Sequence, residues 1–139
     1  MRRLHPDASL PERAHAGDAG LDLCAVEGAE IPPGGRVAIP TGWAVAIPEG
    51  HAGLVIPRSG LARRHGITVA NAPGLIDAGY RGELQVLLVN LSDEPFTVVA
   101  GDRVAQLVIV PIAVAPAMEV DELPVSDGRG EGGFGSTGR

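Results

Sequence analysis

The chain reads as an all-β protein, a sandwich or barrel of short strands, and three observations carry that reading. Twenty glycines and twelve prolines cut a sequence that is 45% hydrophobic into brief apolar runs, a texture that suits strands and tight turns better than helices. Between residues 31 and 57 the runs recur about every ten residues, as Arg36 to Ile39, Trp43 to Ile47 and Gly53 to Ile56, separated by Pro40-Thr41-Gly42 and by Pro48-Glu49-Gly50-His51. Only Ser59 to His65 has the form of a helical turn, capped by Ser59 and stopped by Gly66.

Taken in order, residues 1 to 15 are polar and proline-interrupted and predict a leading strand or coil. Asp18 to Ala25 passes from a glycine turn into alternation, with Leu21 and Leu23 on one side and Asp22 on the other. Asp22 is then either a solvent-facing strand residue or the partner of a polar neighbour. The single Trp43 is assigned to packing. Asn71 to Glu83 places Leu75, Ile76 and Asp77 between the turn dipeptides Pro73-Gly74 and Ala78-Gly79, with Tyr80 opening the return strand; this predicts a small hairpin with Asp77 at its mouth. Asp77 either caps that turn or forms the floor of an active site.

Glu83 to Leu91 and Phe96 to Val99 follow as strands, and the first is apolar on both faces, one to fill the sandwich and one for a subunit interface. Arg103 to Val110 is similar, except that Gln106 interrupts an apolar side and needs either a backbone or a ligand partner. From Asp121 onward hydrophobic periodicity ends and the chain becomes charged and glycine-rich. The expected organisation is therefore a β core over residues 1–120 and a mobile arm over 121–139.

At 139 residues the length allows one domain and no second. The net charge of −6 argues against a nucleic-acid backbone binder, yet all eleven basic residues are arginine. Arginine reads phosphate through a planar fork, so a few placed guanidinia still hold a small polyanion, and an acidic protein that does so wants a divalent cation. The lone Cys24 excludes an internal disulfide, and its apolar neighbours predict a buried thiol in a reducing compartment. With no signal peptide and no run of about 18 apolar residues, no membrane association is expected and the cytoplasm is the expected location.

The chemistry gathers in five separated segments. Asp18-Ala19-Gly20-Leu21-Asp22-Leu23 comes first, then Pro57-Arg58-Ser59-Gly60-Leu61-Ala62, whose hydroxyl, guanidinium and free helix N–H groups make a phosphate seat or an ordinary cap. The Asp77 stretch is third and Gly101-Asp102-Arg103-Val104-Ala105-Gln106-Leu107 fourth. The fifth, Arg129 to Gly138, lacks the lysine and following helix of a Walker loop; Phe134, Arg129, Ser136 and Thr137 give it a ring for a base and donors for phosphate, the makings of a lid. His5, His15, His51 and His65 show no metal-ligand spacing, so no protein-held metal is expected. No GxSxG elbow surrounds Ser59, which disfavours a covalent serine intermediate.

Together the five segments resemble the homotrimeric dUTPase family, the deoxyuridine triphosphate nucleotidohydrolases, from about residue 15 to the C-terminus. The resemblance implies a jelly-roll-like β-sandwich or distorted barrel, assembled as a homotrimer with a swapped C-terminal arm. It implies hydrolysis of dUTP to dUMP and pyrophosphate by water attacking the α-phosphate, with Mg2+ carried by the substrate's phosphates, limiting uracil in DNA and supplying dUMP for thymidylate synthesis. By resemblance Asp77 is the general base, and Arg58, Ser59, Gly60, Gln106, Arg129, Ser136 and Thr137 hold the phosphates. Asn71, Leu75, Ile76 and Gln85 read the uracil edge, Tyr80 lies under the deoxyribose, Phe134 covers the base and Asp22 braces the site. Two other readings stand beside it: a dCTP deaminase of the same superfamily, which the Tyr80-Arg81-Gly82-Glu83 run and the Phe134 arm match less well, and a non-catalytic trimeric β-sandwich binding protein.

Overall fold

The computed structural model describes residues 1–126. In chain order the elements are β1 (Arg2–Arg3), β2 (Leu21–Cys24), β3 (Ala29–Ile31), β4 (Arg36–Ala44), β5 (His51–Pro57), α1 (Ser59–His65), β6 (Ile67–Val69), β7 (Gly74–Ile76), β8 (Glu83–Asn90), β9 (Phe96–Val98) and β10 (Arg103–Pro111). They form two four-stranded sheets, ordered β1-β4-β8-β6 and β2-β10-β5-β7, with β3 and β9 paired as a separate ribbon. Every pairing is antiparallel.

The period-two pattern of the sequence turns one face of each sheet inward. Leu84, Val86 and Leu88 of β8 are buried while Gln85 and Leu87 between them are exposed; across the core, Leu23 of β2, Val55 of β5 and Leu107 of β10 close the opposite layer. Burying each such side chain contributes about 1.5–3 kcal/mol, which is the force holding the layers together. Polar atoms inside find partners: Asn90 Nδ2 donates to the carbonyls of Ile31 and Glu94, at 2.9 and 2.7 Å. Trp43 is a packing residue, with its indole N–H on the Ser9 carbonyl at 2.8 Å and the Arg3 guanidinium 4.7 Å over its ring.

Four expectations are corrected by the fold. Pro40-Thr41-Gly42 does not separate two strands; β4 runs through it as a bulge, pairing Pro40 with Gln85 and resuming at Ala44 opposite Glu83. The Thr41 hydroxyl donates to the Leu84 carbonyl at 2.7 Å, Gly42 N donates to the Glu83 carboxylate at 2.8 Å, and Gly42 adopts φ +71°, which glycine accepts without strain. The β7 arm and the β8 return do not form a hairpin, since β7 pairs with β5 while β8 pairs with β4 and β6. The turn between them passes from one sheet to the other.

Helix α1 is capped by Arg58 rather than Ser59: Arg58 is extended (φ −87°, ψ 122°) and its carbonyl accepts from Leu61 and Ala62, whereas Ser59 already lies inside the helix and no side chain makes the cap bond. Its C-terminal stop is as expected, with Gly66 left-handed at φ 65°. Cys24 is half-buried rather than enclosed, because it lies at the end of β2. Among the described residues nothing covers the outer face of β8, with Leu87 41% exposed.

Candidate active site

One end of the second sheet gathers the charged residues around a single carboxylate. Register sets Asp22 of β2 opposite Gln106 of β10, and Gln106 opposite Ile56 of β5. Arg58 follows directly after β5 and Arg103 opens β10, so both guanidinia arrive at the same edge. Asp22 Oδ1 meets Arg58 Nε at 3.3 Å and accepts from Gln106 Nε2 at 3.2 Å, while Oδ2 accepts from Arg103 Nη1 at 3.2 Å. Arg58 Nη1 also donates to the Arg103 carbonyl at 3.1 Å.

The buried Asp22 is thus fully engaged, its backbone N–H donating to Glu12 O at 2.9 Å as well. Asp102 lies beside the same two guanidinia, but only part of each guanidinium fork is spent on Asp22, and the remaining N–H donors suit a polyanion. Gly20 permits this packing; a Cβ there would stand 3.1 Å from Cβ of Gln106. Cys24 stands near the cluster, and its thiol is pushed above the ordinary value of 9.0 by burial first and by the Asp22 charge second.

The second constellation occupies the turn after β7. Strand β7 is the last of its sheet, so one edge of the Gly74–Ile76 backbone has no neighbouring strand among the described residues. Leu75, 62% exposed, pairs with Leu54 on its inner side, and Asn71 folds back so that a Cβ on Gly74 would touch its Nδ2 at 3.3 Å. Exposed Gln85 lies on the outer face of β8. Asp77 is exposed, and Tyr80 N donates to its carbonyl at 3.0 Å to close the turn. Arg81 Nη1 bridges the carbonyls of Ala78 and Tyr80 at 2.6 and 2.7 Å, and the Tyr80 hydroxyl donates to Glu83 O at 2.9 Å. The turn is thereby held by four hydrogen bonds of its own.

These two constellations do not meet within the chain. Ile76 pairs with Gly53, and Arg58 follows Gly53 by five residues in the opposite direction from Asp77. At the rise of an extended strand this sets Asp77 about 20 Å from Arg58. Asp22, Arg58 and Gln106 come together, beside Ser59 and Gly60 at the start of α1; Asn71, Leu75, Ile76, Asp77 and Tyr80 cluster apart from them. Arg129, Phe134, Ser136 and Thr137 lie outside the described residues.

Sequence reasoning gave no role to Arg103 or to Arg81. Arg103 was legible in principle, since it stands three residues before Gln106 at the head of the same strand, but only the β2–β10 register reveals that both face Asp22. Arg81 acts through backbone carbonyls, which leave no side-chain signature in a sequence.

The architecture defines a two-sheet β protein with an arginine-and-amide cluster at one sheet end and an exposed backbone edge with a carboxylate at the other. A family model described as dUTPase matches residues 6–138. A deoxyuridine 5'-triphosphate nucleotidohydrolase of Wolinella succinogenes is 52% identical over 139 residues, covering 100% of this chain and 93% of that protein, and the Clostridium kluyveri enzyme of the same name is 51% identical over 138 residues, covering 99% and 96%. Among solved structures, a mutant dUTPase of Staphylococcus bacteriophage 80alpha with dUpNHpp superposes with a TM-score of 0.93 at 33% identity, over 99% of this chain and 96% of that one. A mutant dUTPase from phage phi11 of S. aureus, described as coordinating a structural Mg(II) ion, gives 0.81 at 33% identity, over 87% and 95%. The chain belongs to the dUTPase family.

Proposed function

We propose that the protein hydrolyses dUTP to dUMP and pyrophosphate, as a trimer whose sites are shared between subunits. The observation that carries the reading is the family match over residues 6–138, which takes in all five of the segments that would bind and cleave the nucleotide. Arg58, Ser59, Gly60 and Gln106 bind the triphosphate from one subunit, with Asp22 and Arg103 fixing the Arg58 fork and the Gln106 amide before substrate arrives. Preorganised donors of this kind supply the larger part of charge stabilisation in phosphoryl chemistry.

Asp77 lies too far from Arg58 to act on the same α-phosphate in one chain, so the Asp77 turn of a neighbouring subunit completes the site. There its carboxylate accepts a proton from the attacking water, worth about two to four powers of ten in rate. The open edge of β7 and the Asn71 amide meet the uracil, and the Tyr80 ring abuts the sugar, where a 2′-hydroxyl would clash. The outer face of β8, uncovered among the described residues, seats a neighbour. Residues 121–139 form an arm that brings Arg129, Phe134, Ser136 and Thr137 over the nucleotide.

The donor set fits Mg2+ held by the nucleotide rather than by the protein, because both Asp22 oxygens are taken by cations and the Gln106 amide. Bound to the triphosphate, the ion supplies charge neutralisation that this acidic chain does not. In the cell the reaction would limit uracil incorporation into DNA and supply dUMP for thymidylate synthesis. No helix among the described residues is long and apolar enough to cross a membrane; the proposed substrate and product place the reaction in the cytoplasm. The test is pyrophosphate release across dUTP, UTP, dCTP and dTTP, with and without EDTA. Turnover confined to dUTP and suppressed by chelator supports the reading; equal turnover of UTP or dCTP, ammonia release from dCTP, or full activity in EDTA contradicts it.

A further inference from the structure

The space that a side chain at Gly82 would fill is occupied by the Tyr80 phenol. A Cβ at Gly82 would overlap the phenolic oxygen and stand 2.7 Å from Cζ and 3.1 Å from Cε2. Gly82 is not among the glycines with positive φ, so its backbone accepts alanine, and the three atoms nearest the added Cβ all belong to the Tyr80 side chain. The ring is 43% exposed, lies against the Gly82 backbone and is tied at its tip by the 2.9 Å hydrogen bond to Glu83 O. The rest of the turn is already held by Arg81 on the Ala78 and Tyr80 carbonyls and by Tyr80 N on Asp77 O. Within the turn, the Tyr80 ring is therefore the group that a side chain at position 82 would displace.

We infer that Gly82 is a specificity-positioning residue: its missing side chain seats the Tyr80 ring at the angle from which it excludes a 2′-hydroxyl. This rests on the reading that Tyr80 abuts the deoxyribose. A methyl group at position 82 evicts the ring, breaks the bond to Glu83 O and leaves room for ribose, while Asp77 keeps its own turn. The effect falls on discrimination between sugars, in the range that the fit of a single small group commands.

The experiment compares kcat/KM for dUTP and UTP in the wild type, Gly82→Ala, Tyr80→Ala and the double variant. Gly82→Ala should lower the dUTP preference by about tenfold or more, and in the Tyr80→Ala background it should change nothing further, because it acts through the ring. Unchanged preference in Gly82→Ala, or penalties that multiply in the double variant, would overturn the inference. Tyr80 is the only tyrosine of the sequence, so its ring protons are unambiguous by NMR, and cross-peaks to the Gly82 α-protons are expected in the wild type whether or not the variants fold. Their absence overturns the geometry. If the wild type does not cleave dUTP, or Tyr80→Ala keeps full preference, the proposed function or the role of Tyr80 has failed and this inference with it; if both stand and Gly82→Ala is silent, this inference alone has failed.

Discussion

Arg58 Nε stands 3.3 Å from Asp22 Oδ1, and the same oxygen accepts the Gln106 amide at 3.2 Å. One carboxylate thus sets the direction of two groups assigned to the triphosphate, although it need not touch the nucleotide itself. Asp22→Asn keeps the volume but removes the charge that draws in both guanidinia. It should raise KM for dUTP about tenfold with a smaller change in kcat, since the loss is of preorganisation rather than of a proton acceptor. It should also cost about 1–2 kcal/mol of stability by urea unfolding, less than a fully buried pair because the Arg58 and Arg103 side chains are 25% and 52% exposed. A variant with unchanged KM would show that Asp22 does not orient the phosphate donors.

Asp77→Asn tests the opposite partition. The amide preserves shape and hydrogen-bonding reach but takes no proton from water, so kcat should fall by about two to four powers of ten while dUTP affinity stays close to wild type. Equilibrium titration with a non-hydrolysable dUTP analogue measures the second quantity. Loss of binding equal to the loss of rate would make Asp77 a ligand contact rather than a base.

Cys24 supplies a pH dependence with a defined sign. Burial and the Asp22 charge favour the neutral thiol, so its folded pKa lies above the ordinary 9.0. The folded state then holds its proton longer than the unfolded state, and the stability this contributes is fully present below pH 9.0 and is lost as pH rises through the folded value. Cys24→Ala should flatten the alkaline limb of the stability profile. Iodoacetamide should label native Cys24 more slowly at pH 8 than the urea-unfolded chain, and equal rates would contradict the shift.

How much of this was legible in the sequence depends on the distance over which each feature is decided. Strand β8 was readable because Leu84, Val86 and Leu88 announce a buried face within one short window. The bulge of β4 was not, because the groups that stabilise it, Glu83 and the Leu84 carbonyl, lie more than forty residues away. The Asp77 turn misled for a related reason: Ala78-Gly79 looks like a hairpin turn, but Leu75 is claimed by Leu54 and Glu83 by Ala44, and those pairings send the two arms into different sheets. Asp22 showed its alternation locally and its partners only through register. The site chemistry came from residue types at family-like spacing, and the spacing could not say that Arg58 and Asp77 sit at opposite ends of one strand pair.

That separation leads to the last prediction. With Asp77 about 20 Å from Arg58 along β5, a triphosphate seated at the Arg58 cluster reaches a catalytic carboxylate only if another subunit brings one. Asp77→Asn and Arg58→Ala should each be inactive as pure assemblies, since every site lacks one part. Co-refolded in equal amounts, they should recover activity, because a site that draws its Asp77 from one chain and its Arg58 from another is intact in about one case in four when subunits mix at random. The mixed species must be verified by native mass spectrometry, and the recovered rate should scale with their fraction as the mixing ratio is varied. If verified mixed assemblies stay as inactive as the parents, each site is built within one chain and the strand register must rearrange on binding.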